Sequence, residues 1–186
     1  MSASSRPGKA GFTRARRVVS GTVAVAVFGL ASACSEPAAE KEYAVPRALC
    51  GVSVDPDLLS PFLPAGKEVA VRESRPVPSR KICRVDVDGA WAVTADLQWW
   101  EEDVDVSTVV TANPETDKAA HSADDDFFYT GTGAVKLVKG CKNAGHARHS
   151  LYTSIRVNDA DLGDAAAMKK LSAAFTEAVG RSPECS

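Results

Sequence analysis

The stretch from Ile82 to Glu101 constrains the fold more than any other part of this chain. Cys83, Val85 and Val87 alternate with Arg84, Asp86 and Asp88. Beyond Gly89, the residues Trp91, Val93, Ala95, Leu97 and Trp99 alternate with Ala92, Thr94, Asp96 and Gln98. Successive side chains of a strand point to opposite faces, so each half reads as a strand with one buried face. Asp88-Gly89 is a hairpin-turn pair, because both residue types tolerate the positive φ of a tight turn. A plain two-residue turn would set Val87 opposite Ala90 and place Trp91 on the polar face with Asp86. A one-residue slip moves every side chain to the other face. Continuity of the apolar face therefore predicts a three-residue turn or a bulge.

The flanking segments complete an α+β pattern. Asp55 can cap a short helix with Pro56 at its first position and Leu58, Leu59 and Phe62 on one stripe. Lys67–Glu73 reads as a strand, and Arg75–Lys81 as a basic, proline-punctuated loop. Val104–Thr111 fits a short helix or a strand, and the polar run to Asp126 fits a long loop. Phe127–Val138 returns to strand character with a bend or bulge at Gly131 and Gly133. Ser150–Val157 alternates again. Leu162, Met168, Leu171, Phe175 and Val179 follow helical spacing, with Asp161 or Asp164 as the cap and Gly180 at the end. The prediction is a single domain in which an antiparallel sheet carries the C-terminal helix on one face.

Four cysteines lie within this domain, at Cys50, Cys83, Cys141 and Cys185. An even set in an exported chain implies two disulfides. Three pairings are possible. Their placement favours Cys50–Cys83, tying the first helix region to the hairpin, and Cys141–Cys185, tying the segment before the last strand to the tail beyond the last helix. No C-x-x-C spacing points to a redox pair or a metal site.

The fifth cysteine, Cys34, stands apart. Ahead of it run a basic segment with Arg6, Lys9, Arg14, Arg16 and Arg17, an apolar run from Val18 to Leu30, and the small residues Ala31-Ser32-Ala33. This is the pattern of a secretory signal peptide. The apolar run is shorter than the ~20 residues of a membrane span, and Ser20, Gly21 and Thr22 interrupt it. Leu30-Ala31-Ser32-Ala33-Cys34 resembles the lipobox of bacterial lipoproteins, with Leu30 one position further from the cysteine than is usual. The resemblance implies diacylation of Cys34, and two acyl chains give stable anchoring. Cleavage before Cys34 by an ordinary signal peptidase is the alternative. The domain boundaries read as 1–33 signal peptide, 34–46 lipidated cysteine and flexible tether, and 47–186 one α+β domain. Residues 1–33 hold five of the 22 Lys and Arg and none of the 24 Asp and Glu, so the remainder carries a net charge of −7 with histidine neutral. That balance argues against nucleic acid as a partner and against a polybasic membrane surface.

Three places could carry function. Trp100 falls opposite Trp99 on its strand, and tryptophan is favoured at interfaces. His146 and His149 could hold zinc or copper if their loop turned helical, although no fixed carboxylate accompanies them, and a solvated loop is the simpler reading. Glu101, Glu102, Asp103 and Asp105, with Asp124–Asp126, lack the spacing of a calcium loop and read as an acidic surface. No G-x-S-x-G, H-E-x-x-H, S-x-x-K or phosphate loop occurs, and Gly131-Thr132-Gly133 lacks the third glycine of a dinucleotide site. No catalytic residue and no cofactor is expected.

The signal and cysteine, the short acidic tether, Leu49-Cys50-Gly51, Leu63-Pro64-Ala65-Gly66 and Cys83 together resemble the small secreted lipoproteins of actinobacteria, of the Streptomyces-like kind. The resemblance implies a cell-envelope location on the outer face of the membrane. The expected role is a non-catalytic module that binds a protein or a small-molecule ligand. A cell-envelope hydrolase using His146, His149 or the acidic loops is the alternative, as is an accessory subunit of a membrane complex.

Overall fold

The computed structural model describes residues 40–117, 121–124 and 126–186. The signal segment, Cys34 and residues 35–39 lie outside the described residues. Part of the tether reading is corrected. Glu42 donates its backbone N–H to the Gly66 carbonyl at 2.8 Å, the Tyr43 hydroxyl donates to the Pro64 carbonyl, and Tyr43 and Val45 pack against the core. Residues 41–46 thus belong to the domain, because Tyr43 and Val45 supply apolar surface that the Pro/Ala-rich context concealed.

Strands β1 (Ala48–Leu49) and β2 (Val52–Ser53) form a small hairpin, followed by helix α1 (Pro56–Leu59) and a 3₁₀ turn over Ser60–Phe62. Asp55 caps α1 as expected, accepting from the Asp57 N–H at 2.9 Å. The main sheet has seven antiparallel strands: β3 (Val69–Val77), β4 (Arg80–Val87), β5 (Ala90–Glu101), β6 (His121–Asp124), β7 (Phe127–Tyr129), β8 (Gly133–Leu137) and β9 (His149–Val157), in the order β3-β4-β5-β9-β8-β7-β6. Two meanders, β3-β4-β5 and β6-β7-β8-β9, are joined where β9 pairs with β5. Helices α2 (Val106–Thr111) and α3 (Pro114–Asp117) fill the link between β5 and β6, and α4 (Ala165–Gly180) closes the chain.

The hairpin conflict is resolved by a bulge. Asp88 and Gly89 take φ values of 49° and 79°, and Val87 pairs with Ala90. The register then shifts, so that Asp86 faces Trp91 while Val85 faces Val93. Ala92 is the extra residue, and it restores one apolar face from Val93 onward. Trp91 is left on the opposite face, where the Arg156 guanidinium lies 4.5 Å from its ring centre. The expectation that Trp91 joins Trp99 in the core is corrected on this ground. The loop expected over Arg75–Lys81 is also corrected. β3 continues to Val77 through an irregularity between Ser74 and Val77, and β4 begins at Arg80. Pro76 and this irregularity blunt an edge strand that also carries Arg72, Glu73 and Arg75, devices that oppose unwanted strand pairing.

The two sheet faces differ. On the first, Val93, Ala95, Leu97, Leu151 and Ile155 pack with Met168, Leu171, Phe175 and Val179 of α4, and with Leu49, Leu59, Phe62 and Leu63 from the N-terminal region. Asp164 caps α4, accepting from the Ala167 N–H at 2.9 Å. Leu162 lies before α4, in a 3₁₀ turn. Both disulfides are formed as the placement favoured: Cys50–Cys83 and Cys141–Cys185. On the second face, Val109 and Val110 of α2 pack on Val135 and Tyr152, with Trp100 at the margin. Gly133 lets α3 approach closely, since a Cβ there would lie 2.7 Å from Glu115 Cβ and 3.0 Å from its backbone.

Candidate functional site

Beside α2, the second face holds buried polar side chains where a solvent-facing strand would hold exposed ones. Thr94, Asp96, Gln98 and Ser154 are all buried. Strand register explains their meeting. Gln98 sits between Arg80 on β4 and Tyr152 on β9, and Asp96 sits between Ile82 and Ser154.

Gln98 is the hub. Its Nε2 lies 3.3 Å from Asp96 Oδ2, 3.1 Å from Asn113 Oδ1 and 3.1 Å from Ser154 Oγ. Its Oε1 accepts from the Trp100 indole N–H at 3.1 Å. Asn113 in turn donates to the Val109 carbonyl at 2.7 Å, fixing the network to α2. Arg80 Nη2 donates to Asp96 Oδ2 at 2.6 Å. The second carboxylate oxygen, Asp96 Oδ1, is buried and has no hydrogen-bond partner among the described residues. A buried carboxylate oxygen left without a partner is costly.

Two adjoining hollows open here, sharing Arg80 and Ala112. The larger, of about 310 Å³, is lined by Val77, Arg80, Gln98, Trp99 and Trp100 among others. The smaller, of about 40 Å³, is lined by Arg80, Asp96, Asn113, Glu115, Ser154 and Arg156. An aromatic wall beside a few convergent polar groups is what a small-molecule site requires.

The other candidates are placed differently. His146 and His149 do come together, their ring centres 5.6 Å apart, in a 3₁₀ turn and the start of β9. The His146 ring stacks on Trp99 at 4.5 Å, with the planes 10° apart. Burial and then the neighbouring His149 push the His146 pKa below the usual imidazole value, partly opposed by Glu184. The neutral ring is therefore the form that packs. Cys141 is tied to Cys185 and adds no thiolate. No group of three or more metal-ligating side chains occurs among the described residues. Glu101, Glu102 and Asp103 line an open hollow of about 500 Å³ with Arg148 and His149. Asp105 instead caps α2, accepting from the Ser107 N–H at 2.6 Å, and hydrogen bonding from the Ser107 side chain and then from its N–H lowers the Asp105 pKa. Asp126 faces Lys139 at 3.1 Å.

Sequence reasoning reached Trp100 but missed Arg80, Asp96, Gln98, Asn113 and Ser154. Thr94, Asp96 and Gln98 stood at the polar phase of β5, which reads as solvent-facing. The available signal was Val106, Val109 and Val110, apolar enough to cover part of that face. No protein-family model, no curated protein and no solved structure matches the chain. The site therefore rests on its own geometry. Among the described residues, no helix is long and apolar enough to cross a membrane.

Proposed function

We propose that this is an exported lipoprotein, held on the outer face of the cell membrane by acylated Cys34, whose domain binds a ligand without transforming it. The ligand seat is the groove between β5 and the α2–α3 link. The observation that carries the binding role is Asp96, a buried carboxylate with one oxygen unpaired that lines the small hollow adjoining the larger one walled by Trp100. Two disulfides suit an oxidising compartment, and pairing of the four domain cysteines leaves Cys34 as the odd thiol. A hydrolase built on His146 finds less support, because that ring is stacked on Trp99 and its cysteine neighbour is oxidised.

Replacing the acylated cysteine tests the anchor. In the native host, the wild-type protein is expected in the membrane fraction, extracted by detergent and not by high salt. Cys34→Ser is expected in the soluble and culture fractions with its fold intact, because removing both acyl chains removes the apolar surface that holds it. Wild-type protein found free in the medium, or a serine variant still held by the membrane, would overturn the anchor.

A further inference from the structure

Resting on the reading of the groove as a ligand seat, we propose that its ligand is a neutral saccharide, a sugar ring lying against Trp100 with a hydroxyl or amide N–H donating to Asp96 Oδ1. Charge narrows the ligand class first. The small hollow is lined by two cations, Arg80 and Arg156, and two anions, Asp96 and Glu115. Arg80 is already bonded to Asp96 at 2.6 Å, and the Arg156 guanidinium is stacked over Trp91. A phosphate placed here would meet both carboxylates, and a polyamine would meet both guanidinium groups. The lining thus selects against strongly charged ligands of either sign.

What remains is hydrogen-bonding capacity beside an aromatic wall. Asp96 Oδ1 needs a donor, and its residue is only 4 % exposed. The Ser154 hydroxyl, the Asn113 amide and the outer nitrogens of Arg80 can add donors and acceptors, and all three residues line the small hollow. The Trp100 indole N–H is held by Gln98, so its ring is fixed before any ligand arrives. A sugar ring offers the matching surfaces, with C–H groups on its faces and hydroxyls around its rim. The larger hollow, about 310 Å³, gives the ring room, and the 40 Å³ pocket takes one substituent.

The test is titration of the full-length protein, in detergent micelles, followed by two-dimensional amide and indole NMR. The probes are maltotetraose and the tetramer of β-1,4-linked N-acetylglucosamine, with glycylglycine as a zwitterionic comparison. The expected result is a saturable shift of the Trp100 indole signal with at least one tetrasaccharide and none with the dipeptide. Trp100→Ala is expected to weaken binding by tenfold or more, about 1.4 kcal/mol. Asp96→Asn is expected to weaken it as well, with an otherwise unchanged spectrum reporting an intact fold. Should Asp96→Asn disturb the fold, Ser154→Ala replaces it. A Trp100 shift with the dipeptide alone would overturn the saccharide assignment and leave the groove as a binding site. Saccharide binding unaffected by Trp100→Ala would overturn the placement in the groove. No shift with any probe would overturn the saccharide assignment.

Discussion

Removing the first disulfide, as Cys50→Ala with Cys83→Ala, is expected to cost about 4 kcal/mol of folding stability. The bond closes a 33-residue loop holding α1 and β3. In the chain-entropy treatment, a loop of that size restricts the unfolded state by roughly 3.7 kcal/mol. Both cysteines are buried, so loss of the two sulfurs adds a packing defect of the same sign. The staple also fixes local polar geometry. Lys81 Nζ donates to the Cys50 carbonyl at 2.8 Å and to Glu184 at 2.9 Å, so one buried ammonium joins the first staple to the tail carrying the second. Against a domain stability of roughly 5–15 kcal/mol, a loss of this size moves the urea midpoint far down. Chemical denaturation followed by tryptophan fluorescence checks it. A loss below about 1 kcal/mol would contradict the estimate.

The second large effect lies in α4. Phe175 is 1 % exposed and packs in the cluster that joins this helix to the first sheet face. Phe175→Ala is expected to cost about 3–5 kcal/mol, the transfer energy of the ring plus the cavity it leaves. The helix itself needs no phenylalanine, since Ala-rich neighbours supply its propensity. The loss should therefore appear in the global unfolding transition with far-UV circular dichroism little changed under native conditions. An early, separate loss of helix signal would show that α4 is held by something other than this core.

Much of this architecture was legible in the chain because one physical rule acted at a time. Asp55-Pro56 and Asp164 announce helix starts through local hydrogen bonding, and α1 and α4 begin where those residues stand. The cysteine pairing followed from where the four residues sit along the elements. The hairpin was legible as a conflict, and the structure resolved it with a bulge at Ala92. What stayed hidden needed tertiary knowledge. Tyr43 and Val45 look like tether until a core exists for them to cover. Arg75–Val77 looked like loop because Pro76 removes a donor, yet an edge strand tolerates that loss. Trp91 changed faces because one inserted residue inverts the phase behind it. The groove was least visible. Asp96, Gln98 and Ser154 come from two strands, and Asn113 comes from the link between helices. Only the β5–β9 register makes them neighbours.

The proposed extracytoplasmic domain, stapled twice and anchored once, can be checked by intact mass. The protein would be taken from native-host membranes and measured with and without reduction. The predicted species begins at Cys34, carries the added mass of a diacylglycerol, and gains four hydrogens on reduction of its two disulfides. A chain recovered without lipid, or one that still carries residues 1–33, would contradict it.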